Sequence, residues 1–290
     1  MLRIVFLVAL LWFNPLVTPL WGWGSKVHRL INDQAVGLLP DSVGAYFQHH
    51  RDWIVALSTD ADQRRRYDRS GAPYHYIDLE YYGEFPYADI PADRQAAVEK
   101  YGAENLEAWG SLPWHTAAIA SALKDAFERG EWERAVVLAA DLGHFVADGH
   151  QPLHTTVNYD GRDSGNNGIH ALFETNMVDR FLDEYSWVNA WIEPIEDPAT
   201  YLLGCVNEAH QELPELLRAD RLARVPLSKK EKRILAEGYS AGQEAIPAQY
   251  LEQLYKDTGD MVWRQISLAS VRLASLWYWA WAQAGKPVPP

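Results

Sequence analysis

The sequence predicts an all-α fold, a single multi-helix domain with long loops. Three observations predict the helical class. Apolar residues recur at helical spacing from near the start of the chain to its last aromatic segment, RQISLASVRLASLWYWAWAQAG. The one β-leaning stretch, APYHYIDLEYYG, has no neighbouring strand to pair with and reads as extended loop. No internal repeat, low-complexity segment or linker divides the 290 residues.

Composition narrows the function classes. A hydrophobic content of 48% supports a large core, and 13 Trp with 15 Tyr make the chain unusually aromatic. The net charge of −13 excludes a broad basic surface for duplex backbone, yet bound metal can reverse the local sign at a site. Cys205 is the sole cysteine, so no intrachain disulfide forms and its reading is core filler.

Taken in order, residues 1–22 read as an export signal. Arg3 is the positive flank, residues 4–13 the apolar core, and Asn14, Pro15 and Pro19 break it. That core is short for a membrane span, although an uncleaved anchor is the alternative. His28, Ile31, Ala35 and Leu38 keep helical spacing up to Pro40. Asp41 caps a second helix whose apolar side carries Val43, Phe47, Ile54 and Leu57. The run Arg64, Arg65, Arg66 reads first as solvated loop charge and second as a phosphate contact. Pro113 opens a helix that Gly130 closes. YDGRDSGNNG is a loop, and GIHALFETNMVDRFLDEY is helical again. A helix from Pro198 is interrupted at Pro214, and SKKE forms a capping box at Ser228 and Glu231. In the last helix Trp277 and Trp281 share a side that Trp279 does not, so core packing is expected rather than one stacking stripe.

The chain is organised around DLGHFVADGHQPLH, which follows the buried helical run EWERAVVLAA. Asp141, His144 and Asp148 fall at i, i+3 and i+7 and project to one side. A carboxylate and an imidazole in so apolar a helix are costly without compensation. Pro152 ends the helix and His154 follows within reach, giving His-x3-Asp-x5-His, a spacing suited to zinc. The plainer reading is a core histidine paired with an aspartate. His170 and Glu174 add an i, i+4 pair on a later helix. Asp60, His75 and His28 are further metal-competent residues. His49, His50 and His210 read as surface histidines, and His115 and His150 as packing or supporting groups.

As a set these motifs resemble the superfamily of zinc-dependent phospholipases C and single-strand-specific nucleases of the S1/P1 type. The resemblance runs from Trp23 to Glu174 and, more weakly, to RLASLW. It implies an all-α fold and about three zinc ions. The first would be held by Asp60, His75, His144 and Asp148, and the second by His154, His170 and Glu174. The third would take the Trp23 amine and carbonyl, His28 and the second oxygen of Asp148. Asp148 is then a bridge, and Asp60 orients or deprotonates the attacking water. Asp62 competes with Asp60, whose spacing to His75 fits the resemblance better. Asp141 is the candidate to orient the His144 ring.

Zinc-bound water ionises near neutral pH, so no Ser or Cys nucleophile is needed. The expected activity is phosphodiester hydrolysis. Glu174, the short interval from His154 to His170 and the lack of disulfides tilt it to a phospholipase C. The Trp23–His28 and Asp60–His75 spacings and the HQPLH ending tilt it to a nuclease. A phospholipase C-like enzyme is the leading expectation, a single-strand nuclease the alternative, and a non-catalytic exported zinc-binding protein the remote third. Phospholipid or single-stranded nucleic acid is the expected partner. The mature protein, residues 23–290, is expected to be exported, periplasmic or secreted, and monomeric. Cleavage before Trp21 is the alternative start.

Overall fold

The computed structural model describes residues 23–187 and 191–290. The expected export signal lies outside the described residues. Every regular element among those described is helical, with no strand, so the all-α expectation holds. No described helix is long and apolar enough to cross a membrane.

The helix Trp132–Asp148 is the hub. Ala135, Ala139, Ala140, Gly143 and Ala147 are all buried along it, and side chains this small let neighbours approach closely. The helix Leu112–Glu128 joins it in an αα-hairpin whose turn uses Gly130 at φ 68°. The helix Ser25–Leu38 crosses another flank, where only glycine fits at position 143. A Cβ there would lie 2.2 Å from Asn32 Oδ1. Asn32 in turn donates to the His28 carbonyl at 2.9 Å, so this close crossing brings His28 up to His144.

The 36-residue helix Ala248–Gln283 backs both, and Trp277 Nε1 donates to the Ala139 carbonyl at 3.1 Å. Full burial of a large apolar side chain contributes about 1.5–3 kcal/mol, and Trp277, Phe47 and Phe127 are among many so placed. Trp277 and Trp281 are core, as their spacing predicts. A second, smaller core of Ile77, Leu79, Tyr82, Leu106 and Trp114 closes on Phe145, one residue after His144. It ties the loop-rich region between residues 66 and 111 to the hub helix.

Four local expectations change. The helix expected from Asp41 to Leu57 breaks at His50 into Asp41–His49 and Arg51–Leu57, with the His50 ring donating to the Tyr46 carbonyl at 2.9 Å. APYHYIDLEYYG is partly a 3-10 helix, Arg69–His75, and a short helix, Leu79–Tyr82. Residues 169–181 are not one α-helix. A π turn, Leu172–Met177, separates Ile169–Ala171 from Val178–Phe181. Pro214 sits in the first turn of a new helix, Leu213–Arg224, where its missing N–H costs nothing.

Candidate metal centre

The hub helix delivers His144 and Asp148 from its last turns, both with no solvent exposure. His144 Nδ1 donates to the Ser58 carbonyl at 2.9 Å, which turns Nε2 inward. Asp148 faces two ways. Its Oδ2 lies 2.9 Å from His75 Nδ1 and 3.4 Å from His144 Nε2, and its Oδ1 lies 3.6 Å from both His28 Nε2 and His154 Nδ1. His28 stacks on His144 with ring centroids 4.1 Å apart.

The exit turn, a 3-10 segment Pro152–Thr155, brings His154 to the second side. There His154 Nε2 stands 3.1 Å from His170 Nε2, and His170 Nε2 stands 3.0 Å from Glu174 Oε2. The π turn carries Glu174, a distortion often found at functional sites. Gln151 donates to Glu174 Oε2 at 3.1 Å, and the Tyr239 hydroxyl donates to Oε1.

Among the described residues three groups have the ligand atoms to hold a metal ion. They are His28, His144 and Asp148; Asp62, His75 and His144; and His154, His170 and Glu174. The residues expected from sequence are therefore brought together, with two corrections. Asp62 occupies the position expected of Asp60. Its Oδ1 is 3.9 Å from His75 Nδ1 and 3.8 Å from His144 Nε2, whereas Asp60 belongs to none of the groups. The cause is helical geometry: both lie on the helix Asp60–Arg65, and two positions along a helix point to nearly opposite sides. Asp141 does not orient His144 either. The Ser58 carbonyl does so, and Asp141 pairs with Arg64 at 2.9 Å.

Trp23, the first described residue, is close by. The Trp23 ring is fully buried against Phe173, and the Gly24 N–H donates to the Glu174 carbonyl at 3.4 Å. The arrangement fits cations. His28 Nδ1 and Nε2, Asp148 Oδ1, His154 Nδ1 and His170 Nδ1 are buried without a hydrogen-bond partner, a costly state unless a metal completes it. Burial, with His144 nearby, lowers His28 to about 3, and burial lowers His75 and His170 to about 4. These rings are thus neutral, the form that ligates metal. Burial would also lower His144, but Asp148 and Asp62 outweigh it and raise that ring to about 9. Burial opposes ionisation of Asp62 and Asp148, yet the surrounding imidazoles outweigh it and hold both carboxyls below the usual range. Glu174 goes the other way, pushed up to about 8 by burial.

Arg65, read from sequence first as solvated charge and second as a phosphate contact, lies with Nη2 3.2 Å from Asp62 Oδ1. Sequence reasoning passed over three other neighbours. Gln151 lay inside the motif itself, and Ser58 and Tyr239 left no sequence signal at all. His150, buried in the turn, donates from Nδ1 to the Val146 carbonyl and accepts from Arg272 at 3.0 Å, so it braces the motif and ligates nothing.

A cavity of about 270 Å³ opens beside the groups, walled by Arg65, His75, Tyr76, Asp78, Tyr159 and His170. The family model described as S1/P1 Nuclease matches residues 23–278. No curated protein matches the chain.

Proposed function

The chain belongs to the S1/P1 nuclease family, and from that premise we propose that it is a zinc-dependent hydrolase of phosphodiester bonds in single-stranded nucleic acid. The observation that carries this reading is the set of three buried His and carboxylate groups beside an open cavity. The matched family favours the nuclease over the phospholipase C expected from Glu174 and the His154–His170 interval. Clustered ligands beside an open cavity also weigh against a non-catalytic zinc-binding protein.

The residues that would hold zinc are Asp62, His75, His144 and Asp148; His154, His170 and Glu174; and His28 with Asp148 and the Trp23 backbone. Zinc supplies Lewis-acid polarisation of a phosphoryl oxygen and acidifies water. Asp148, with two oxygens turned to different imidazoles, would bridge two sites. Asp62 is held ionised by His144 and His75 against the effect of burial, and its Oδ1 faces both rings with Arg65 at 3.2 Å. It takes over the role expected of Asp60, orienting the attacking water and accepting its proton. Arg65, on the cavity wall beside Asp62, presents a fixed cation to a phosphate. Tyr76 and Tyr159 offer ring faces to a base, and Asp78 offers a carboxyl to its edge. A base must leave its stack to enter, and this gives the preference for single strands.

The reading extends to residues 23–290 as one exported, monomeric domain. The experiment is hydrolysis of single-stranded DNA, duplex DNA and phosphatidylcholine by the zinc-loaded protein. Turnover of single-stranded DNA well above the other two is expected. Turnover of phosphatidylcholine alone would restore the phospholipase reading.

A further inference from the structure

A second groove lies on the other side of the segment that carries His75. Along residues 71–78 the lining alternates. Ala72, Tyr76 and Asp78 wall the first cavity, while Gly71 and Tyr74 wall the second, and both cavities share Arg65 and His75. At about 520 Å³ the second is the larger. We propose that this groove, walled by Arg64, Ser70, Tyr74 and His115, binds the nucleotide next to the scissile phosphate on the side away from the first cavity. The inference rests on the nuclease reading of the same site.

Three features suit the groove to a nucleotide. Tyr74 and His115 are stacked in parallel, with centroids 3.8 Å apart and planes 5° apart, and Phe145 meets His115 edge-on at 4.7 Å. This aromatic wall is built before any ligand arrives, so little ordering cost attends stacking on it. Burial lowers His115 to about 4, so the ring stays neutral. Arg64 and Arg65 line the groove beside Asp68 and Asp141, Arg64 pairing with Asp141 at 2.9 Å and Arg65 with Asp62 at 3.2 Å. Their two guanidiniums are the cations that a phosphodiester backbone crossing the groove would meet. The Arg65 guanidinium stands where the two cavities meet, beside Asp62. A strand laid across that junction would place one nucleotide in each cavity and its phosphate at the metal groups.

The test compares two substrates with zinc-loaded protein: octathymidylate, which fills both grooves, and thymidine p-nitrophenyl phosphates, 3′ and 5′ esters both, which carry one nucleoside. The readout is the ratio of kcat/KM for octathymidylate to kcat/KM for the faster ester. In Tyr74→Ala this ratio should fall about tenfold, the order expected for one lost base–aromatic stack. In Arg64→Ala, at a half-exposed position that tolerates truncation, it should fall about threefold. Tyr81→Ala, whose ring packs on Trp109 and lines neither groove, is the control with no change. A ratio unchanged in Arg64→Ala and in any folded Tyr74→Ala, with the parent active on both substrates, overturns the second subsite and leaves the nuclease reading standing. A parent inactive on both substrates overturns the nuclease reading and the subsite with it.

Discussion

Exchanging Asp62 for Asn should disable the protein, while the same exchange at Asp60 should scarcely be felt. Asp62→Asn keeps shape and removes one negative charge from a buried position 3.8 Å from His144 Nε2 and 3.9 Å from His75 Nδ1. A cation held by those nitrogens lies about 4 Å or less from the lost charge. At an effective dielectric of about 20, a unit charge at that range is worth about 4 kcal/mol, or about three orders of magnitude in affinity. The amide oxygen retains part of the contact, so a loss of roughly 100- to 1,000-fold is expected. Asp60 is half-buried, lies outside every metal-competent group and sits on another side of the same short helix. Its exchange should change activity by less than about threefold. The assay is a zinc titration of kcat/KM on single-stranded DNA, with zinc content measured on each variant. A larger loss in Asp60→Asn than in Asp62→Asn would refute the placement of Asp62.

Other outcomes follow from the same geometry. Asp148→Asn should cost more activity at matched zinc loading than Glu174→Gln, because Asp148 faces two groups and Glu174 one; equal losses by steady-state kinetics would remove its bridging role. In metal-free protein, His144 and Glu174 keep protons in the folded state at pH values where the unfolded chain has released them. His28, His75 and His170, lowered by burial, act in the opposite sense only while the unfolded imidazoles still titrate near 6.5. Stability should therefore fall as pH rises from about 7.5 to about 9, and zinc, by replacing those protons, should flatten the trend. Thermal unfolding with and without chelator checks this, and a metal-free protein that gains stability over that range would contradict it. A tag or retained methionine ahead of Trp23 should weaken zinc binding and slow hydrolysis, because a free terminal amine, with a reference pKa of about 7.7–8.0, would be lost as a ligand. Mass analysis of the N-terminus with zinc content decides, and unchanged zinc and turnover would reduce Trp23 to a packing residue.

The hub helix was legible because its chemistry and its packing share one short string. His144, Asp148 and His154 stand in a run so apolar that their presence needed an explanation, and Gly143 marked a close crossing. His170 and Glu174 were legible as a spaced pair, but the π turn beneath them was not, since apolar periodicity carries no record of one extra residue in a turn. The Asp60 and Asp62 alternatives differ by two positions. Spacing along the chain favoured one, and the side of the helix, set by where Asp60–Arg65 packs, favours the other. Asp141 was misread for a related reason: it does lie near the His144 side of its helix, but Arg64, itself half exposed, reaches it first. The last helix begins well before its aromatic run, at Ala248, because polar residues and Gly259 obscure the early turns. Ser58 and Tyr239 act through a backbone carbonyl and a distant hydroxyl, which no motif announces.

The central claim is that the three buried groups form a zinc site that cleaves single-stranded nucleic acid. Its most direct test is a zinc titration of chelator-treated protein, following hydrolysis of single-stranded DNA alongside bound zinc. Activity should be absent without metal and should rise to its maximum as about three zinc ions bind per chain, in line with the three ligand groups. Full hydrolysis in metal-free protein, or a maximum at one bound zinc, would contradict it.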